Sequence, residues 1–491
     1  MIPSPISREA YQLLHDGTLA LAAAEQRGML VDVEYCRNQS QHLERKIIRL
    51  TEKLMDDAEV KQWRSIYRGK FNLGSDTQLA DMLFTRLGYV STSQTGSGED
   101  STDKLALGGI DSPMAQGLLE LRGLQKIKNT YIDNLLREQV GGVLRPSFNL
   151  NTVQTYRSSS QNPNFQNQPT RDPFFQKTVR RAFVPRPDFL IAEADFSGIE
   201  VRGAACYHKD PTMLTYILDK SKDMHRDMAM QCYALDMEQW NKNTRYCAKN
   251  KYVFPEFYGS YYGQVAKDLW DAIDQMNLTT RAGVPLKKHL ASAGIKNYSQ
   301  FESHIKEVEN DFWSNRFGVY GEWKEKHYKA YVKNGYADCL TGFRFQGLMR
   351  RNQVINYPIQ GASFHCLLKA IIEVTRISKA EGWRSGLIGQ IHDSMVLEVH
   401  KDEYNHVMAT VRRVMCSWVP SQWEWIIVPL EVEIEASPLN GSWFLKKEVK
   451  RGKACPGCGA VWRQQLKDKE TGAALGWACP VCGDKDYAEN K

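Results

Sequence analysis

No stretch of this 491-residue chain runs to about eighteen apolar residues, so a membrane-spanning helix is not expected. The longest apolar stretch near the start, LALAAAEQRGMLV, is interrupted by Glu25, Gln26 and Arg27 and reads as a helix running into a loop. The opening MIPSPISREA has neither the basic nor the apolar region of a secretory signal, so a reduced, intracellular setting is the expectation. A disulfide framework is missing too. Of 11 cysteines, those from Cys36 to Cys416 stand singly and suit small buried apolar positions, while only the last four are paired in sequence. Charge of one sign does not dominate: 64 Lys and Arg against 57 Asp and Glu leave +7, which permits a polyanionic partner without requiring one. There is no internal repeat. With 42% hydrophobic and 25% charged residues, the composition excludes a disordered chain, and the length calls for several domains.

The first 135 residues are largely helical in pattern. DTQLADMLFTRLGY (76–89) and MAQGLLELRGLQKIKNTYIDNLLREQ (114–139) place apolar residues three and four apart. Between them, STSQTGSGEDST (91–102) is a polar loop, suited either to an ordinary surface turn or to contact with a phosphate backbone. Residues 141–190 are rich in Asn, Gln, Ser and Pro and turn basic at Arg180, Arg181 and Arg186. FLIAEADF (189–196) reads as an apolar strand ending at Asp195, and aromatic-rich helical sequence follows to about 330. PIQGASFHCLLKAIIEVTRISKA (358–380) predicts a cap region and an amphipathic helix. SGLIGQIHDSMVLEVH (385–400) predicts two strands joined at His392–Asp393, and IIVPLEVEIEA (426–436) a closing strand. The fold class is α+β, a mixed sheet with helices packed against it.

Three groups of residues carry chemistry. Asp195 and Asp393 sit at strand ends, where rigid backbone suits a pair of carboxylates holding two metal ions. Turn capping explains each aspartate equally well in isolation. RYCAKNKYVFPEFYGSYYG (245–263) sets Arg245 and Lys249 four apart on a helix, with aromatics after them. That pattern fits phosphate binding beside a stacking ring, and it also fits a solvated basic face next to a core stripe. Cys455-x2-Cys458 and Cys479-x2-Cys482, twenty residues apart, have the layout of a zinc ribbon, and four thiolates suit one closed tetrahedral Zn2+ site.

Several motifs occur in an order that resembles the family A DNA polymerases. LVDVEYC (30–36) and FNLGSDTQLADMLFTRLGY (71–89) resemble the start of that family's polymerase region, and LQKIKNTYIDNL (124–135) resembles its thumb. TYRSSSQNPNFQNQP (155–169) resembles a primer–template contact segment, ADFSGIEVR (194–202) motif A, NYPIQG (356–361) a later palm motif and QIHD (390–393) motif C. The resemblance implies a right-hand fold of palm, fingers and thumb that extends a primer with deoxynucleoside triphosphates. Asp195, Asp393 and the Phe196 carbonyl would hold two Mg2+ ions. His392 would position the primer-terminal phosphate. Glu200, held by Tyr258, would exclude a 2′-hydroxyl, which disfavours the related single-subunit RNA polymerases. Ser394 departs from the pattern, which often has a glutamate after the second aspartate.

The same resemblance makes 245–263 the nucleotide-binding helix, with Arg245 and Lys249 on the phosphates, Lys249 the catalytic cation, and Phe254 beside the sugar. His225 in DMHRDMA would approach a phosphate. The usual steps of four are broken, because Lys249 to Phe254 is five, and Asn250 or Lys251 are competing registers for the lysine. One extra residue turns a regular helix by about 100°, so a bulge near 250–255, helped by Pro255, is predicted. Arg157 would reach the minor groove at the primer end, joined on the duplex by Asn164, Gln166, Asn167, Asn356 and Gln360, with Arg350 and Arg351 on backbone phosphate. Helix-start capping is the alternative for Asn356 and Gln360.

The expected domains are an N-terminal region and thumb (1–140), a primer–template segment and first palm part (141–210), fingers (211–335), a second palm part (336–450) and the ribbon (451–491). Asp32-Val33-Glu34 has the D-x-E form of a proofreading nuclease motif but opens the polymerase region, so no 3′–5′ exonuclease is expected in the chain. Expected partners are primer–template DNA and deoxynucleoside triphosphates, with a separate exonuclease or other replication proteins. The expectation is a cytoplasmic monomer without a membrane role, in a bacterial or phage-infected cell. A gap-repair or translesion polymerase would share the same core. A silent nucleic-acid scaffold would lack the aspartates and helix cations.

Overall fold

Eight residues, Phe189–Phe196, form the central strand of the computed structural model, which describes residues 4–91, 94–95, 98–169, 172–468 and 472–487. The main sheet contains β1 (Phe189–Phe196), β2 (Gly386–Ile391), β3 (Ser394–His400), β4 (Val432–Ala436) and β5 (Lys447–Glu448), in spatial order β5-β4-β1-β3-β2. Every neighbouring pair is antiparallel, which corrects the expected mixed sheet. The two-residue link His392–Asp393 allows no other pairing of β2 with β3, since parallel neighbours need a long crossover. The register sets Asp195 opposite both Ser394 and Glu433, and Glu193 opposite Glu435. The closing strand starts at Val432 rather than near 426, because Pro429 has no ladder donor to offer.

Helices α1 (Arg8–Arg27), α2 (Pro173–Arg180), α3 (Ile199–His208), α4 (Met224–Cys232), α5 (Lys242–Ala248), α6 (Phe254–Phe257), α7 (Gly318–Asn334) and α8 (Arg351–Ala380) surround the site. α8 begins seven residues before Pro358, not at it, and carries the proline inside. The start is fixed by Gln353, whose side-chain oxygen accepts from the Arg350 backbone amide at 2.8 Å. Pro358 cannot donate to the Val354 carbonyl, and His327 of α7 interacts with that backbone instead. The 114–139 pattern becomes Pro113–Gln125, a wide π-type turn Lys126–Ile132, and Asp133–Glu138. The 76–89 pattern becomes Asp76–Ala80 followed by a second wide-turn segment, Asp81–Arg86. In the polar loop, residues 92–93 and 96–97 lie outside the described residues, and Thr95 N donates to the Glu99 carbonyl at 2.7 Å.

Buried side chains gather in three clusters. One joins α1, α8 and the main sheet, a second runs from Ala204 to Tyr320 with Ile359 and Val428, and a third covers Leu54 to Leu121. The C-terminal strands β6 (Lys450–Arg451), β7 (Trp462–Lys467), β8 (Ala474–Ala478) and β9 (Lys485–Tyr487) form a separate sheet. They are nevertheless packed onto the main body: Cys455, Ala460, Trp462 and Cys479 belong to the first cluster. Tyr404 donates to the Trp462 carbonyl at 3.0 Å, and Leu439 N to the Pro480 carbonyl at 2.8 Å. No helix among the described residues is long and apolar enough to cross a membrane.

Candidate active site

Strand pairing brings the two distant aspartates to one end of the sheet. Asp195 is the penultimate residue of β1, Asp393 the second residue of the β2–β3 link, and the Phe196 amide donates to the Asp393 carbonyl at 3.2 Å. His392 takes the left-handed φ of 48° to make the link. Gln390 fixes the tip by donating to the His392 carbonyl at 2.5 Å while accepting from Ser158 at 2.6 Å. The Asp195 carboxylate reaches solvent, yet protein crowds it on most sides. Burial, and then the Asp393 and Glu193 charges, push it up to about 7. Burial raises Asp393 to about 6 against the pull of Arg157, with Glu200 adding to the rise. Its buried Oδ1 has no hydrogen-bond partner. Two proton-avid carboxylates and one orphaned oxygen are a donor set that a divalent cation fits.

α3 starts after Gly198, whose φ of 61° turns the chain sharply, and so presents Glu200 back toward the aspartates. The Glu200 carboxylate accepts from both the Tyr258 hydroxyl and the Arg157 guanidinium. Arg157 also lies 4.0 Å from Asp393. The arginine, expected at the minor groove of the primer end, thus sits among the acids here.

The predicted bulge in the next helix is present. α5 is capped reciprocally by Asn241 and Thr244, residues 249–253 form a π-type turn, and α6 follows with Pro255 in its first turn. The Phe254 amide donates to the Lys249 carbonyl, five residues back, so the step of five is one full wide turn. Lys249 Nζ consequently lies 5.4 Å from the Phe254 ring centre, and Asn250 instead bonds the Tyr246 carbonyl at 2.8 Å. His225 of α4 meets Phe254 edge-on at 5.8 Å, and Arg245 pairs with Asp223 at 2.6 Å. Burial, Arg245 and Lys249 together lower His225 to about 4, and its Nδ1 is buried without a partner.

A cleft of about 1380 Å3 runs past Lys46, Arg122, Tyr131, Phe174 and His392. Asn164, Gln166 and Asn167 line it as well, but two of them are engaged internally. Asn164 caps the short helix Phe165–Asn167, and Gln166 donates to Ser158 and Gln390. Arg351 and Asn356 line a separate hollow of about 400 Å3. Arg351 pairs with Glu325 there, Asn356 donates to the Tyr258 carbonyl at 3.2 Å, and Gln360 lies half-buried one turn further on. Arg350 joins the α8 cap through its backbone amide only.

The four C-terminal cysteines converge. Their sulfurs lie within 4.8 Å of one another, and Cys455–Cys482 and Cys458–Cys479 are each 3.5 Å apart, unbonded. A tetrahedron with Zn–S near 2.3 Å has sulfurs about 3.8 Å apart, so the set fits zinc. Gly459 and Gly483 supply the positive φ that closes the two knuckles.

Sequence reasoning missed a second group beside Asp195. Glu193, Glu433, Glu435, Arg180 and Lys446 line a cavity of about 260 Å3 together with Asp195. Lys446 bridges Glu193 and Glu435, and Trp443 Nε1 donates to Glu193 at 3.0 Å. Burial alone would raise Glu193, but Lys446, Arg180 and Trp443 outweigh it and hold its carboxyl below the usual range. The alternation Glu193-x-Asp195 and Glu431-x-Glu433-x-Glu435 was the available signal, since residues two apart on a strand share a face.

The family description "DNA polymerase family A" matches residues 33–442. The chain belongs to DNA polymerase family A. This family A member is 29% identical over 430 residues to DNA polymerase I of Chloroflexus aurantiacus, covering 85% of the chain and 41% of that relative. It is 30% identical over 430 residues to the thermostable DNA polymerase I of Thermus filiformis, covering 84% and 46%. The chain therefore spans less than half the length of these curated relatives. The POL domain of Pol1 from M. smegmatis, solved in complex with DNA primer-template and dNTP, superposes with a TM-score of 0.69 at 24% identity, over 88% of this chain and 70% of that one. The fold is thus the right-hand polymerase fold, with the cysteine ribbon beyond the matched 33–442.

Proposed function

We propose that the chain is a template-directed DNA polymerase that adds deoxynucleotides to a primer 3′-hydroxyl. The observation that carries this reading is the convergence of Asp195 and Asp393, with an orphaned buried oxygen, on one end of the central sheet of a family A fold. Asp195, Asp393 and the Phe196 carbonyl would hold two Mg2+ ions, which when bound activate the hydroxyl and steady the leaving pyrophosphate. Arg245 and Lys249 bind the triphosphate, Lys249 meets the charge that develops during transfer, and His225 supports a phosphate oxygen. Phe254 packs on the sugar, and Glu200, oriented by Tyr258, fills the space a 2′-hydroxyl needs. His392, Asn164, Gln166 and Asn167 face the duplex, Arg351, Asn356 and Gln360 the template side, and Arg157 leaves Glu200 for the primer end. Residues 1–140, 211–335 and the two segments 141–210 and 336–450 serve as thumb, fingers and palm. Four cysteines hold one structural Zn2+ in the ribbon. Primer–template DNA and deoxynucleoside triphosphates are the partners, and the chain acts as a monomer in DNA replication.

Primer extension on defined templates, with deoxy- and ribonucleotides tested separately, checks the reading. Mg2+-dependent, template-matched deoxynucleotide addition that disappears in Asp393→Ala is expected. Failure of the intact protein to extend any primer would overturn it.

A further inference from the structure

β3 carries Ser394 directly after Asp393, where the family pattern often has a glutamate. The hydroxyl of Ser394 lies 3.0 Å from the Glu193 carboxylate and 2.9 Å from the Ile391 carbonyl. Glu193 stands on the neighbouring strand β1, two residues before Asp195 and on the same face, about 7 Å away along the strand. An acid missing from one strand is thus met by an acid on the next. Glu193 is 9% exposed and cannot swing away, because Trp443 and Lys446 grip its other oxygen. Trp443 is itself immobilised between Phe165, Phe183 and the Arg180 guanidinium, which stacks on the ring at 4.3 Å.

The charges do not cancel. Glu193 faces Glu435 across β4, an arrangement of like charges that a sheet tolerates poorly, and Lys446 bonds both. Glu193, Glu433 and Glu435 against Lys446 and Arg180 leave one net negative charge beside Asp195. Resting on the polymerase reading above, we propose that Glu193 is a positioning residue for Asp195, a clamped negative charge that strengthens the hold of the Asp195–Asp393 pair on a divalent cation. The Glu193 carboxylate is taken up by Ser394, Trp443 and Lys446. It acts through the field at Asp195, while Lys446 limits that field.

This role differs in sign from a merely structural one. Glu193→Gln leaves Lys446 and Arg180 balanced by Glu433 and Glu435 and removes the extra negative charge. Lys446→Met adds to it, and the double variant restores one net negative charge through Glu435. The test uses the intact protein in a non-reacting complex with dideoxy-terminated primer–template and the matched triphosphate. Mn2+ is titrated in, and free Mn2+ is read by electron paramagnetic resonance. Glu193→Gln is expected to weaken Mn2+ binding about three- to tenfold, Lys446→Met to leave it equal or tighter, and the double variant to return within about twofold of wild type. Unchanged binding in Glu193→Gln would overturn the proposal, as would equal weakening in both single variants with no recovery in the double. If Glu193→Gln does not fold, Lys446→Met decides alone: equal or tighter binding supports the proposal and weaker binding overturns it. Absence of Mn2+ uptake and of primer extension in the wild type would instead sink the polymerase reading, which separates the two failures.

Discussion

Tyr258→Phe removes one atom from the site and, on the proposed polymerase activity, should change which nucleotide sugar is accepted. The Tyr258 hydroxyl donates to one oxygen of Glu200 while Arg157 holds the other. A hydrogen bond to a charged group contributes about 1.5–3 kcal/mol. Tyr258 is 44% exposed, so water replaces part of that bond, and Arg157 still restrains the carboxylate. The lower end applies, about 1.5 kcal/mol, which corresponds to roughly a tenfold loss in discrimination. The assay is single-turnover incorporation of a matched deoxy- and ribonucleotide, compared as the ratio of kcat/KM. The ratio should fall about tenfold, mainly through better ribonucleotide use, with the deoxynucleotide rate within about threefold of wild type. Glu200→Ala removes the bulk itself and should lower the ratio further. A ratio within twofold of wild type in Tyr258→Phe, or a smaller loss in Glu200→Ala than in Tyr258→Phe, would show that the Tyr258–Glu200 contact does not set sugar choice.

Three further outcomes follow from the same geometry. Asp195 has a folded pKa raised from 3.8 to about 7, so its stability contribution is fully present below pH 4 and is lost as pH rises through 7. Asp195→Asn should therefore raise the Tm of the Mg2+-free protein at pH 8 and change it little at pH 4, and a scanning-fluorimetry series showing the opposite trend would contradict the assigned environment. Cys479→Ser should release zinc, read by metal analysis, and lower Tm by about 2 °C or more, because Cys479 belongs to the main buried cluster. An unchanged Tm would show that the ribbon does not support the palm. Phe254→Tyr should improve use of dideoxynucleotides relative to deoxynucleotides in single-turnover incorporation, and an unmoved ratio would remove Phe254 from the sugar.

Local signals were enough for much of this architecture. The strand 189–196 and the hairpin around His392–Asp393 have the expected limits because alternation and turn residues are encoded within a few positions. The wide turn after Ala248 was legible for a different reason: a five-residue step and Pro255 together leave few ways to keep Lys249 and Phe254 adjacent. Local signals misled at Pro358, which looks like a helix boundary but is accommodated by an interaction from α7 that no neighbouring residue announces. The Glu193–Ser394–Lys446 network was invisible because it depends on the register of β1 against β3 and on a segment 250 residues later in the chain. Arg157 likewise turned inward to acids that only the tertiary fold brings near.

Asp195 and Asp393 are proposed to act as one ion-holding pair for nucleotidyl transfer. Rapid-quench incorporation of a single matched deoxynucleotide, across a Mg2+ titration, tests it most directly in wild type, Asp195→Ala and Asp393→Ala. Mg2+-dependent incorporation by the wild type is expected, with a loss of about a thousandfold or more in each variant, roughly 4 kcal/mol, that excess Mg2+ does not restore. Either variant retaining a rate within tenfold of wild type would contradict it.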